Sequence, residues 1–427
     1  MRPLNIKITK IIVIVIIIFF FNQILINEIV GEKNSSTLSK AKWMIEEIDF
    51  FDYKYNSINS LVIDSKDNPN LLCFNNNEFC YAKWTGNKWI IKTIDIKNDL
   101  STYEFLALDS NDNPHISYFE DNNKRLKYAR WNGESWEDEI VDLKDYLVSI
   151  SSLVLDPNGN PHICYYNRSA ARYGNLKYAT KIENKWITET IDSGDNVGDN
   201  PYIILDTNLK PIIYYYDYNN NCLKMARYNG IDWVIQRFES INGLSREDTY
   251  VSAFIYYSLS IDASFNPHIC YKNKSNNTLN YAKWTGKHWN IITLDTFEWS
   301  FQDCNYALTL DSNGNPHVCY NDPINFVLKY IKWEGNNWSI DIIDSDHDYY
   351  NAKLFSLDSL GNPHIIYYFQ EYIHYEGLSG HQIEDGYKYA KLKRIINEET
   401  DENVFIPNFE AIYLIITMGI IIINYNT

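Results

Sequence analysis

Short apolar runs rich in β-branched and aromatic residues alternate with polar turns through most of the chain, the composition that suits pleated, half-buried strands. Seven of these runs end in Asp, at Asp64, Asp109, Asp156, Asp206, Asp262, Asp311 and Asp358, and each Asp is followed five positions later by Pro. Successive Asp residues lie 45, 47, 50, 56, 49 and 47 positions apart, a period that marks a repeat fold. Each unit holds four such runs, joined by the Pro-containing turn, a variable polar stretch and a Gly-containing turn. Four strands per unit and seven units predict an all-β, seven-bladed β-propeller.

The fourth run of a unit goes from Trp to an acidic residue six positions on, as in Trp136 to Asp142 or Trp338 to Asp344. The seventh unit lacks it, and the missing piece stands ahead of the first unit as Trp43 to Asp49, so one blade is expected to be built from both ends of the repeat region and to close the ring. The predicted organisation is an apolar leader over 1–30, a linker over 31–39, the propeller over 40–396, an acidic linker over 397–403 and a second apolar segment over 404–427. Arg2, Lys7 and Lys10 followed by the run from Ile11 read as a signal peptide or signal anchor. A net charge of -17 excludes nucleic acid as a partner.

Repeated residues read as scaffold. His115, His162, His268, His317 and His364 directly follow the Pro of their turn, and a catalytic group is not needed five times around a ring. They are expected to hydrogen-bond within their own blades. The turns "DSNDN" and "DPNGN" suggest calcium, yet Lys66, Ser264 or Leu360 takes the third ligand position in some copies, so the turn is assigned to Asn, Gly and Pro and no cofactor is expected. Cys164, Cys270 and Cys319 share one position of the second strand and read as interblade thiols, whereas Cys73 and Cys80 are placed to pair across a hairpin.

In a propeller the one-to-two and three-to-four turns share one face, uniform here, and the interblade and two-to-three loops share the other, which varies. Recognition is expected on the varied face. Trp299 is the one tryptophan of twelve outside the repeat frame, and Glu298 and Asp303 accompany it, an aromatic and carboxylate pairing suited to carbohydrate. Asp346, His347, Asp348 and Tyr349 repeat that chemistry, and Asp199, Tyr202 and Arg246 complete the candidate ligand set. Phe51, Tyr53 and Asp195 lie in neighbouring loops, and the last blade carries a swollen two-to-three loop over 370–387 with His374, His381 and Glu384.

Three resemblances add to this reading. The repeats "LDSxGNPHIxYY" and "LKYAxWxG" resemble those of uncharacterised bacterial and archaeal surface propellers, which implies fold and location without an activity. "IPNFEA" before the C-terminal apolar run is similar to archaeal sorting signals of the PGF-CTERM type, with Asn408 where that family has Gly, and implies attachment to the cell surface. "KWTGNKW", ending at Trp89, and "KWEGNNW", ending at Trp338, resemble at a distance the Asp-box turn of sialidases, without its Ser and Asp, and no spacing of arginines matches the triad of that family. The expected function is a membrane-tethered extracellular binder of a glycan or cell-envelope protein. A carbohydrate-active hydrolase is the alternative, and a structural envelope component the third reading.

Overall fold

The computed structural model describes residues 41–48, 57–75, 78–94, 104–120, 125–143, 147–168, 174–194, 196–241, 257–273, 275–297, 304–374 and 381–394. They form seven antiparallel four-stranded sheets, the blades of a β-propeller, with no helix among the described residues. Blades one to six cover 57–93, 105–142, 147–192, 197–237, 257–296 and 306–344. In blade seven, Tyr349–Leu357, Pro363–His374 and His381–Arg394 are followed at the edge by Ala41–Glu47, the predicted closing strand. The chain divides into a propeller unit, 43–392, and a second unit of the two flanks. Both apolar termini lie outside the described residues.

Burial explains the pattern of each run. Second strands such as Pro114–Glu120, Pro211–Asp217 and Pro316–Asp322 are buried throughout, so both faces carry apolar side chains or polar ones such as His115 and Asp322 that find partners inside, and Pro sits at the first position, where no ladder donor is lost. Fourth strands such as Trp89–Thr93 are largely exposed beyond their Trp.

The Asp-to-Pro turn is a hairpin capped by the Asp side chain. In blade three Asp156 Oδ1 accepts the N–H groups of Asn158 and Asn160 at 2.9 and 2.8 Å, and all seven repeat Asp residues do the same. The residue three positions after the Asp is left-handed, which explains Gly159, Gly314 and Gly361 there, at φ of 79°, 77° and 76°.

Neighbouring blades are joined by three recurring devices. The fourth-strand Trp of one blade packs edge-on against the third-strand Tyr of the blade before, as Trp186 does on Tyr128 at 5.3 Å between ring centres. The Asp that ends a fourth strand accepts a bond from the second-strand Tyr of the next blade and pairs with a Lys beside it. Asp142 is 2.6 Å from Tyr165 Oη and 2.5 Å from Lys177 Nζ; Asp192 meets Tyr215 and Lys224, and Asp295 meets Tyr320 and Lys329, in the same way. Cys164, Cys270 and Cys319 fill the apolar clusters between these contacts.

Blade one replaces the second device. Tyr165 and Lys177 are cross-strand partners, and the matching partners in blade one are Cys73 and Cys80, joined as a disulfide with Cα atoms 5.0 Å apart. Blade one is also clipped on both sides. Ser65 donates through N–H and Oγ to Asp112 of blade two, and Ser359 of blade seven donates through the same two groups to Asp67.

Candidate functional site

The five repeated histidines lie within their blades, as expected. Tyr128 Oη is 2.5 Å from His115 Nδ1, and the same bond joins Tyr178 to His162, Tyr281 to His268, Tyr330 to His317 and Tyr389 to His364. In four of them, His115, His268, His317 and His364, Nε2 lies 3.4 to 3.9 Å from the repeat Asp. Burial pushes the His268, His317 and His364 imidazoles down to about 4, so they are neutral at neutral pH. Blade four changes both partners together: Ile212 stands for the His and Met225 for the Tyr. Blade one keeps the bond with Asn70, whose Oδ1 accepts from Tyr81 Oη at 2.5 Å. A polar pair that is replaced together is a packing element.

Four of the six described candidates, Asp346, His347, Asp348 and Tyr349, lie together at blade seven. Asp344 anchors the entry loop: its carboxylate accepts from Asp346 N–H, Tyr350 Oη and Tyr367 Oη at 3.1, 3.1 and 2.6 Å. Burial works to raise the Asp344 carboxyl, and these bonds with nearby Lys388 outweigh it and hold it below its ordinary value. Asp346 and Asp348 are exposed, Tyr349 is half-buried and His347 is largely covered.

The bend that precedes the strand Tyr349–Leu357 then turns the His347 and Tyr349 rings apart. The His347 ring stacks on Phe369 at 4.2 Å, with Nε2 2.6 Å from Lys388 Nζ and Nδ1 3.4 Å from Glu371, in the groove toward blade six. Tyr349 faces the other way, toward blade one, where its ring meets Tyr368 at 6.4 Å and Tyr368 meets Tyr387 at 5.5 Å. Tyr368 Oη donates to Asp385 at 2.5 Å and accepts from Gln370 Nε2 at 2.8 Å. Tyr349, Tyr368, Gln370 and Asp385 thus share one half-buried surface of two aromatic rings with an amide and a carboxylate, and Asp348 is exposed at its edge.

The remaining candidates are dispersed. Asp199 and Tyr202 belong to blade four; Asp199 is buried and accepts from Tyr218 Oη, and burial pushes the Tyr202 phenol up. Arg246, Glu298, Trp299 and Asp303 lie outside the described residues, as do Phe51, Tyr53 and Asp195. The region 370–387 is not a loop throughout: the strands Pro363–His374 and His381–Arg394 extend it as a hairpin, in which Tyr372 is the cross-strand partner of Ile383 and Ile373 of Gln382. In that hairpin His374 is the cross-strand partner of His381, and Glu371 of Glu384. Sequence reasoning passed over Tyr368, Gln370, Glu371 and Asp385; the signal available was the strand-forming residues Tyr372, Ile373 and Ile383 beyond them. Among the described residues no group of three or more His, Cys, Asp or Glu is arranged to hold a metal ion.

No protein-family model and no curated protein sequence matches the chain. Among solved structures it is similar to AofleA from Arthrobotrys oligospora at 13% identity and a TM-score of 0.44, over 71% of this chain and 90% of that one. It is similar to the fungal lectin of Aleuria aurantia, a six-bladed β-propeller with a fucose recognition mode, at 14% identity and 0.39, over 72% and 96% of the two chains. It is similar also to the polysaccharide lyase Uly1 at 10% identity and 0.48, over 79% and 89%. All three scores are below 0.5, and the functional reading rests on the geometry of this chain.

Proposed function

We propose that the protein is an exported, membrane-tethered cell-surface propeller that binds a carbohydrate through its varied face and does not turn it over. The observation that carries this reading is the surface of Tyr349, Tyr368, Gln370 and Asp385 at the rim of blade seven. Half-buried aromatic rings stack on the C–H faces of a sugar, and an amide with a carboxylate beside them exchanges hydrogen bonds with its hydroxyls. The non-catalytic reading is supported by the repeated Asp, His and Tyr side chains, which hold turns and strands together in each blade. Export and tethering are supported by the basic residues and apolar run at the N-terminus and by the apolar run after Glu410.

The test is binding of the intact chain to a broad glycan array beside Tyr349→Ala and Trp299→Ala variants. Glycan binding lost in Tyr349→Ala places the sugar on blade seven, and loss confined to Trp299→Ala moves it to the loop between blades five and six. No glycan bound by the unaltered protein overturns the reading. Release of reducing sugar from a bound glycan overturns its non-catalytic part.

A further inference from the structure

A cavity of about 390 Å³ opens between blades one and two on the uniform face, away from the surface just described. Trp131, Trp136 and Tyr81 form aromatic walls, and Lys66, Lys83 and Lys92 supply cations. Lys83 is paired with Asp64 at 2.9 Å, while among the described residues no carboxylate is paired with Lys66 or Lys92. Asp112, the carboxylate of the lining, is held by Ser65 N–H and Oγ at 3.0 and 2.7 Å.

The equivalent grooves show what this one lacks. Between blades two and three, Glu139 accepts the Trp186 indole N–H at 2.9 Å and pairs with Lys181 at 2.6 Å. Between blades three and four, Glu189 accepts the Trp233 indole N–H at 3.0 Å. Glu139 and Glu189 hold the same fourth-strand position, opposite Tyr128 and Tyr178, and in blade one the residue there, opposite Tyr81, is Lys92. The charge is reversed. The Trp136 indole N–H is buried without an acceptor, and Lys92 lies over the Trp131 ring at 4.1 Å. The groove is also wider, with Tyr81 and Trp136 ring centres 6.3 Å apart against 5.3 Å for the pairs at Trp186 and Trp233. Trp43 and Trp338 have unpartnered N–H groups as well, but Asp341 and Ile292 stand at the matching positions of their grooves, and neither is a cation.

We propose that this groove is a binding site for a carboxylate-bearing sugar, a uronate unit of an acidic polysaccharide. The ligand carboxylate takes the place of the missing glutamate, accepting from Trp136 Nε1 and meeting Lys92 and Lys66, as Glu139 meets Trp186 and Lys181. The aromatic walls and the volume beyond it suit a pyranose ring. This site is independent of the blade-seven surface.

Lys92→Glu rebuilds the carboxylate of the Trp186 and Trp233 grooves, so it should fold, and Lys92→Met removes the cation without supplying an acceptor. Calorimetric titration of the intact chain with trigalacturonate should show binding that weakens at least about tenfold in both variants and for the fully methyl-esterified trisaccharide, which keeps the shape and loses the charge. The thermal midpoint of Lys92→Glu should match or exceed that of the unaltered protein, while Tyr349→Ala should leave trigalacturonate binding unchanged. Equal affinity for the ester, or undiminished binding by Lys92→Met, overturns the proposal. Tetraglutamate bound as tightly as trigalacturonate overturns its saccharide part.

Discussion

Lys177 is 4% exposed and Asp142, its partner across the junction of blades two and three, is 9% exposed, which makes this pair a sensitive test of how the blades are held. Lys177→Met keeps the length of the side chain and removes the charge. The Asp142 carboxylate then retains Tyr165 Oη at 2.6 Å and Leu143 N–H at 2.9 Å, with no cation to offset its burial. Leaving one member of a buried pair uncompensated costs about 3–5 kcal/mol. For a unit spanning 43–392, an unfolding entropy of ~2.1 cal/mol/K per residue converts this to a fall of about 4–7 °C in thermal midpoint. In the unaltered protein burial works to raise the Asp142 carboxyl, and Lys177 and Tyr165 outweigh it, holding it below its ordinary value. In the variant burial acts without the lysine, the carboxyl takes up a proton more readily, and the loss shrinks as the pH falls into the carboxylate range. Lys181→Met, which leaves behind the more open carboxylate of Glu139, should cost no more than about 1 kcal/mol. Scanning calorimetry of both variants at several pH values decides the matter. A Lys177→Met midpoint equal to that of Lys181→Met, or a loss that does not change with pH, refutes the reasoning.

Three further outcomes are expected. His268→Ile leaves the buried Tyr281 hydroxyl without its partner and should cost about 1–3 kcal/mol, whereas His268→Ile with Tyr281→Met, the pair that blade four uses, should recover part of it in a denaturant double-mutant cycle. Burial lowers the His268, His317 and His364 pKa values to about 4, below an unfolded value near 6.5. The unfolded chain then binds more protons between these limits, so stability is complete above pH 6.5 and lost as the pH falls toward 4, and calorimetry should show the midpoint already dropping at pH 5.5. Reducing Cys73–Cys80, seven residues apart, should lower stability by about 2.5 kcal/mol through loop closure, read as a drop in midpoint on adding dithiothreitol.

Much of the fold was legible because it is fixed locally and repeated. The Asp cap, the Pro that opens a second strand and the Trp that opens a fourth recur at set spacings, and the absence of one such Trp strand from the end pointed to Trp43 to Asp49 as the closing piece, which the structure has as Ala41–Glu47. The candidate site was legible in part. Asp348 and Tyr349 were singled out, but chain order placed His347 with them, and the bend ahead of Tyr349 turns its ring to the opposite side of the blade. Tyr368 and Asp385 come from strands whose extension depends on pairing across the hairpin from Gln370 outward, a property of register rather than of either run alone. The groove at Lys92 is invisible to a search for motifs, because it consists of a departure from one: a single position, Lys where other blades carry Glu139 or Glu189, changes meaning only once the blades stand side by side.

The closing strand also sets an order of events. Ala41–Glu47 is made first, yet its hydrogen-bonding neighbour, His381–Arg394, arrives roughly 330 residues later, and bringing such distant segments together costs about 3 kcal/mol more than joining neighbours ten residues apart. Six blades can assemble from strands adjacent in the chain while the first strand waits with one edge unsatisfied. A chain emerging in sequence from a ribosome or a translocon therefore stays an open arc until its last strand is delivered. Tension applied to the two ends would act on that same pairing first, so the seam that completes the ring late is also where it parts early.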